Sequence, residues 1–146
     1  MKVIHNLTFD SIKTHILSCT YKSGPFALLN NDKRVQEFYG NIESKYNLQC
    51  MLAIYYPPGG GLDWHTNNDA NMHNALCTYS TCSTSFIELK DRKIYDKQNK
   101  WTVKYTYWTK ENSIPHRVVS KGHRITFAFS SPHKTLVENF IETLNN

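Results

Sequence analysis

The stretch from Tyr55 to Asp69, YYPPGGGLDWHTNND, decides how this chain is read. Immediately upstream, Gln49–Tyr56 is an apolar run that stops at two prolines and three glycines, the composition of a strand entering a turn. A short segment then delivers His65, with Asn67 and Asp69 two and four residues beyond it. Side chains two apart on a strand share a face, so His65 and Asn67 can be aimed together into the mouth of a barrel. On a straight strand residue 69 stands about 13 Å from His65, too far to share an ion. Asn67-Asn68-Asp69 is turn-prone, however, and a bend there brings Asp69 closer.

Outward from this stretch the chain divides in two. On its C-terminal side, strand-like runs rich in Thr, Tyr, Val, Ile and Phe occupy 75–81, 84–89, 101–108, 116–120 and 124–130, with Asp91-Arg92 and 96–99 as polar turns. On its N-terminal side, Leu7, Phe9, Ile12, Ile16 and Leu17 repeat at helical spacing, with Asp10 or Ser11 as the cap. Asn31-Asp32 caps a second amphipathic helix through Val35, Phe38, Tyr39, Ile42 and Tyr46. At the end, Ser131-Pro132 reads as a cap with proline at the first helical position, before the stripe Leu136, Val137, Phe140, Ile141 and Leu144. The order helix, helix, six or more strands, helix predicts a mainly β domain with flanking helices, a sandwich or jelly roll. Residues 1–146 form one domain in this reading: helices over 1–47, a β core over 48–130 and a helix over 131–146.

A chain of 146 residues is long enough to bury about two thirds of its unfolded surface. Seventeen Lys and Arg against twelve Asp and Glu leave a formal +5 and a pI near 9.0. That balance favours approach to a polyanion, but the charges are scattered. The start MKVIHNLTFD lacks the apolar region of a secretory signal, and no run of about 18 apolar residues is present. The expected location is therefore cytosolic, a host's cytosol if the chain is viral, with no membrane association. Cys19, Cys50, Cys77 and Cys82 show neither a CxxC pair nor zinc spacing and read as free, buried thiols.

A second histidine, His116, opens a later strand behind Pro115, which holds its neighbour extended; Arg124 follows eight residues on. Two histidines and one oxygen ligand on a single face, with other positions open, form a mononuclear metal site. A guanidinium inside a barrel needs an anionic partner, and the far carboxylate of a dicarboxylate suits it. Tyr56 can add a hydroxyl to the same carboxylate.

These residues resemble the Fe(II)/2-oxoglutarate-dependent oxygenase superfamily. Tyr56-Pro57-Pro58-Gly59 followed by His65 has the spacing of prolyl 4-hydroxylases and alkylated-nucleobase demethylases, which share a Y-x-x-G-x5-H-x-D pattern. Arg124-Ile125-Thr126-Phe127 is similar to the demethylases' R-x-x-L-T-F strand; where those carry a second Arg, this chain has Ser130. The combination of WHTN, a late P-H-R-V and a final G-x-R-I strand is also similar to small bacteriophage-encoded members. The resemblance spans roughly residues 48–130 and implies a double-stranded β-helix. It further implies Fe(II) on His65 and His116, 2-oxoglutarate and O2 as cosubstrates, and Arg124 with Tyr56 on the distal carboxylate. Its reaction would be hydroxylation or demethylation, releasing succinate and carbon dioxide. The pattern departs at Asn67, where a carboxylate is usual. Asn67 binding through its amide oxygen, Asp69 reached through a bend, or water as in related halogenases can each complete the site.

Other residues carry plainer readings. His5, His15, His73, His123 and His133 are ordinary histidines, and only His73 lies near enough in sequence to join the pocket by a loop. Gly59-Gly60-Gly61 reads as a flexible turn or lid at the barrel mouth. Trp64 is core or a shelf under substrate, and Tyr105, Tyr107 and Trp108 read as barrel packing. Arg124 has a structural role open to it as well, a salt bridge to Glu88 or Asp63. Lys90, Arg92, Lys93, Lys97 and Lys100 form a basic loop that suits phosphates. An inactive β-helix binding a small molecule or a nucleic acid is the second function class, and a base or a protein side chain is the conceivable substrate of the first. Monomer and dimer are equally compatible with the chain.

Overall fold

The structure is a computed structural model and describes residues 1–19, 24–66, 71–109 and 114–144. In chain order its elements are β1 (Lys2–Val3), α1 (Leu7–Ser18), β2 (Ala27–Leu28), α2 (Lys33–Tyr46), β3 (Gln49–Tyr56), β4 (Gly61–His65) and β5 (Met72–Ser80). They continue with β6 (Phe86–Leu89), β7 (Lys93–Tyr95), β8 (Lys100–Trp108), β9 (His116–Val119), β10 (Arg124–Ser131) and α3 (Lys134–Thr143). Two antiparallel sheets form, one in the order β1-β8-β5-β10-β3-β2 and one in the order β4-β9-β6-β7. From β3 to β10 the chain crosses repeatedly between them, and the eight strands make the expected jelly roll.

The larger sheet is covered on both faces, and strand periodicity assigns each face its residues. Along β10, Ile125, Phe127 and Phe129 join the core beneath the helices with Phe9, Val35, Trp101, Val137 and Phe140. Arg124 and Thr126 point the other way, between the sheets. β8 divides likewise: Trp101, Val103 and Tyr105 face the helices, while Lys104, Thr106 and Trp108 face the second sheet. Between the sheets the apolar cluster is small, Ile54, Tyr56 and Val118 with Leu52, Leu62 and Ile87 against it. The main hydrophobic core therefore lies outside the barrel, which leaves the interior available for polar groups.

Local signals explain the helix boundaries. Asp32 caps α2 by accepting the Val35 N–H at 3.0 Å, as its sequence indicates, and Asn47 ends that helix in the left-handed region. The cap of α1 is Asn6, which accepts the Thr8 N–H at 2.9 Å; Asp10, expected as a cap, sits in the first turn. Ser131 closes β10 instead of capping α3, which starts at Lys134 behind His133 without a side-chain cap. Four strands, β1, β2, β4 and β7, fall outside the predicted runs. No helix among the described residues is long and apolar enough to cross a membrane. All four cysteines are free; Cys77 is fully buried and the other three are partly exposed, not buried as expected.

The glycine turn differs from the expected flexible lid. Gly59 N–H donates to Ser120 O and Ser120 N–H to Gly60 O, both at 2.9 Å, and Gly61 N–H donates to Pro25 O at 2.8 Å. It joins β3 to β4 at the end of the barrel away from His65. A Cβ on Gly60 would stand 2.3 Å from Pro25 O, and one on Gly61 would stand 2.2 Å from Val118 O. Gly60→Ala and Gly61→Ala each therefore cost about 1–3 kcal/mol of stability, measured by urea denaturation. A Gly40→Ala control, whose Cβ meets nothing within 4 Å, loses none.

Candidate metal and cosubstrate site

His65 ends β4 and His116 begins β9, and the antiparallel register sets them directly opposite one another. Their ring centroids are 4.2 Å apart. Each ring is anchored by the same contact: His65 Nδ1 lies 2.7 Å from Asp63 O and His116 Nδ1 lies 2.9 Å from Ile114 O. A carbonyl oxygen only accepts, so in both rings Nδ1 carries the proton and donates, and Nε2 is the nitrogen that a metal would use. The indole of Trp108 stacks on His116 at 5.1 Å with 24° between planes. Burial lowers the His116 pKa below the ordinary imidazole value, and the charges of His65 and Lys104 act in the same direction against the Ile114 hydrogen bond. A neutral imidazole results, the form that binds metal.

Both histidines line a cavity of about 330 Å³ between the sheets, walled by Leu52, Leu76, Ile87 and Val118 and entered by Tyr56, Lys104, Thr106 and Arg124. Asn67 and Asp69 lie outside the described residues, so the choice among Asn67, Asp69 and water stays where the sequence leaves it.

Arg124 is where expected, at the start of β10 beside Tyr56, and it is buried. Its partner is neither Glu88 nor Asp63. Its Nε donates to Asp96 Oδ2 at 2.8 Å, its Nη2 to Asp96 Oδ1 at 3.4 Å and its Nη1 to Thr126 Oγ1 at 3.2 Å. Glu88 instead accepts from Arg117 at 2.6 Å, and Asp63 accepts the Trp64 N–H. The guanidinium also lies 5.6 Å from the Tyr56 ring centre. Desolvation raises the Tyr56 pKa against the influence of Arg124, so its hydroxyl stays protonated.

The remaining readings sort by face. His73 does not join the cavity: it bonds the Tyr105 hydroxyl at 2.5 Å and stacks on Tyr107 at 4.2 Å on the helix side of the sheet. Trp64 is not core; it is 47% exposed, with the Arg117 guanidinium 5.6 Å from its ring. Of Tyr105, Tyr107 and Trp108 on β8, the last two line the cavity and Tyr105 does not. Away from it, Cys19 Sγ at 3.8 Å and Asp32 Oδ2 at 2.9 Å converge on His15 Nε2, a three-donor group that ties α1 to the cap of α2. Lys104, Thr106 and Asp96 escaped the sequence reading. For the first two a signal existed, since both share the strand parity of Trp108, opposite to Trp101 and Val103.

Against known proteins, no family model and no curated protein matches. Among solved structures, the chain is similar to an RmlC-like cupin protein from Desulfovibrio desulfuricans, at 16% identity over 56% of this chain and 69% of that one, with a TM-score of 0.39.

Removing one partner of a buried ion pair strands the other charge. Asp96→Ala therefore destabilises the protein by about 3–5 kcal/mol. Glu88→Ala, which breaks the more exposed pair with Arg117, costs about 1 kcal/mol or less. Paired urea titrations of the two variants check the difference.

Proposed function

We propose that this protein is an Fe(II)- and 2-oxoglutarate-dependent oxygenase that hydroxylates or demethylates a C–H-bearing substrate. The observation that supports it best is the pair of facing histidines, both fixed as Nδ1–H tautomers by backbone carbonyls. Imidazoles with one nitrogen held in this way suit a divalent first-row metal. When bound, iron with a keto acid and O2 supplies the oxidising power for C–H cleavage.

The chain's own part is to hold, orient and keep dry. The β4–β9 register sets the distance between His65 and His116, and Trp108 covers one face of the His116 ring. Leu52, Leu76, Ile87 and Val118 give the cavity an apolar wall that disfavours water. Tyr56, held as a neutral phenol, offers a hydroxyl to the distal end of the cosubstrate. Asn67 or Asp69 completes the ligand set, or water takes that position. The substrate is a nucleic-acid base or a protein side chain, with the basic residues 90–100 as the approach to the former.

One observation favours the second class, an inactive binding module: the charge of Arg124 is already neutralised by Asp96, and three of its five N–H donors are taken by Asp96 and Thr126. Anaerobic titration with Fe(II) followed by 2-oxoglutarate separates the two. The oxygenase gives the weak visible charge-transfer band of an iron–keto-acid chelate, and on admission of O2 it forms succinate. Both signals vanish in folded His65→Ala and His116→Ala variants. A well-folded wild-type protein that gives no band contradicts the oxygenase reading.

A further inference from the structure

We propose that the cavity's anion-binding residue is Lys104, assisted by Thr106, and that Arg124 is a structural cation; the proposal rests on the oxygenase reading only for the choice of 2-oxoglutarate as the first probe. A carboxylate arriving at Arg124 finds three of the five N–H donors in use, one on each nitrogen, and it meets the charge of Asp96. Arg124 is buried and Asp96 nearly so, with side-chain exposures of 2% and 9%. An incoming anion would either share the guanidinium with a carboxylate that already neutralises it or displace Asp96 and leave it without its partner.

Lys104 presents the opposite situation. It stands at the middle of β8, beside Leu76 of β5, half-buried in the cavity wall. Among the described residues no carboxylate is within ion-pair distance of it. The charged group nearest to it in the cavity lining is another cation, Arg92 at the rim. Desolvation, together with Arg92, draws the lysine pKa down, so the ammonium is held at a cost that a bound anion relieves.

A second observation lies beside it. Thr106, two residues on and on the same face of β8, has a buried Oγ1 with no hydrogen-bond partner. Buried hydroxyls are normally satisfied, and a ligand oxygen in the cavity would satisfy this one. Trp108, two residues further, stacks on His116. From the histidine pair inward, the wall thus presents Trp108, Thr106 and Lys104 in sequence. This order fits a small organic acid with one end at the histidines and a carboxylate at Lys104.

The test is calorimetric titration of the anaerobic Fe(II)-loaded protein with 2-oxoglutarate, in the wild type, Lys104→Met, Lys104→Arg and the double variant Asp96→Asn/Arg124→Gln. The double variant removes both charges of the buried pair together and so avoids stranding either one. Lys104→Met is expected to weaken 2-oxoglutarate binding by about tenfold or more, the loss of one charged hydrogen bond, with Fe(II) binding unchanged. Lys104→Arg recovers most of the affinity, and the double variant binds nearly as well as wild type. Unchanged affinity in Lys104→Met, or an equal loss in a folded, Fe(II)-binding double variant, overturns the proposal. If the wild type takes Fe(II) but not 2-oxoglutarate, the oxygenase reading fails by itself. Succinate and inorganic phosphate are then the probes: Lys104-dependent binding of either sustains the anion site, and binding of neither overturns it.

Discussion

Two-residue periodicity along the strands of the six-stranded sheet is the constraint on which the rest of the molecule depends. It sends Ile125, Phe127 and Phe129 to the helices and Arg124 and Thr126 into the barrel. A slip of one residue in β10 would exchange those sets, burying a guanidinium under α2 and α3 and filling the barrel with phenyl rings. The bulge opposite Ala128 and Phe129, where Leu52 is followed by Cys50 as partner and Met51 is passed over, shows how the register is managed. It returns Cys50 to the helix side while Leu52, Ile54 and Tyr56 stay inside. Because the large aromatic core is built outside the barrel, the interior can hold cations, hydroxyls and two imidazoles without the fold relying on them.

Within that interior the polar groups fall into two kinds. Arg124 with Asp96, and Thr78 with Thr126, are satisfied by partners from the chain and fix β10 against its neighbours. The histidine pair, Lys104 and Thr106 are oriented or enclosed, yet point into the cavity. Carbonyl anchoring of both Nδ1 atoms is economical: it determines tautomer and ring direction without a carboxylate that would compete for a metal. The charge of the cavity is therefore carried by Lys104 and Arg92, since Asp96 cancels Arg124.

Much of this was readable from residues alone. Runs of β-branched and aromatic residues marked β3, β5, β8, β9 and β10, because packing on a half-buried sheet selects those types. The pairing of His65 with His116, 51 residues apart in the chain, could be anticipated because each ends or begins a strand beside a turn. β4 escaped because Gly61, Asp63 and His65 are poor strand formers held in place by β9, and β1, β2 and β7 are too short to show a period. The Asp96–Arg124 pair was invisible for a different reason. Asp96 lies in a polar turn, where a carboxylate ordinarily means solvent, and nothing local reveals that the turn folds under the barrel. Lys104 gives no signal by composition, since the basic cluster of residues 90–100 ends short of it, although the alternation of β8 places residue 104 inside.

The facing rings of His65 and His116 both give Nδ1–H to a backbone carbonyl, which makes Nε2 the nitrogen for a shared metal. Two-dimensional 15N NMR of the histidine rings in the metal-free protein, at a pH above the ordinary imidazole value, reads the tautomers directly. The account predicts Nδ1–H for both His65 and His116, and, on addition of Zn(II) as a diamagnetic probe, a shift concentrated at both Nε2 atoms. An Nε2–H tautomer at either residue, or Zn(II) shifts confined to one ring, would contradict it.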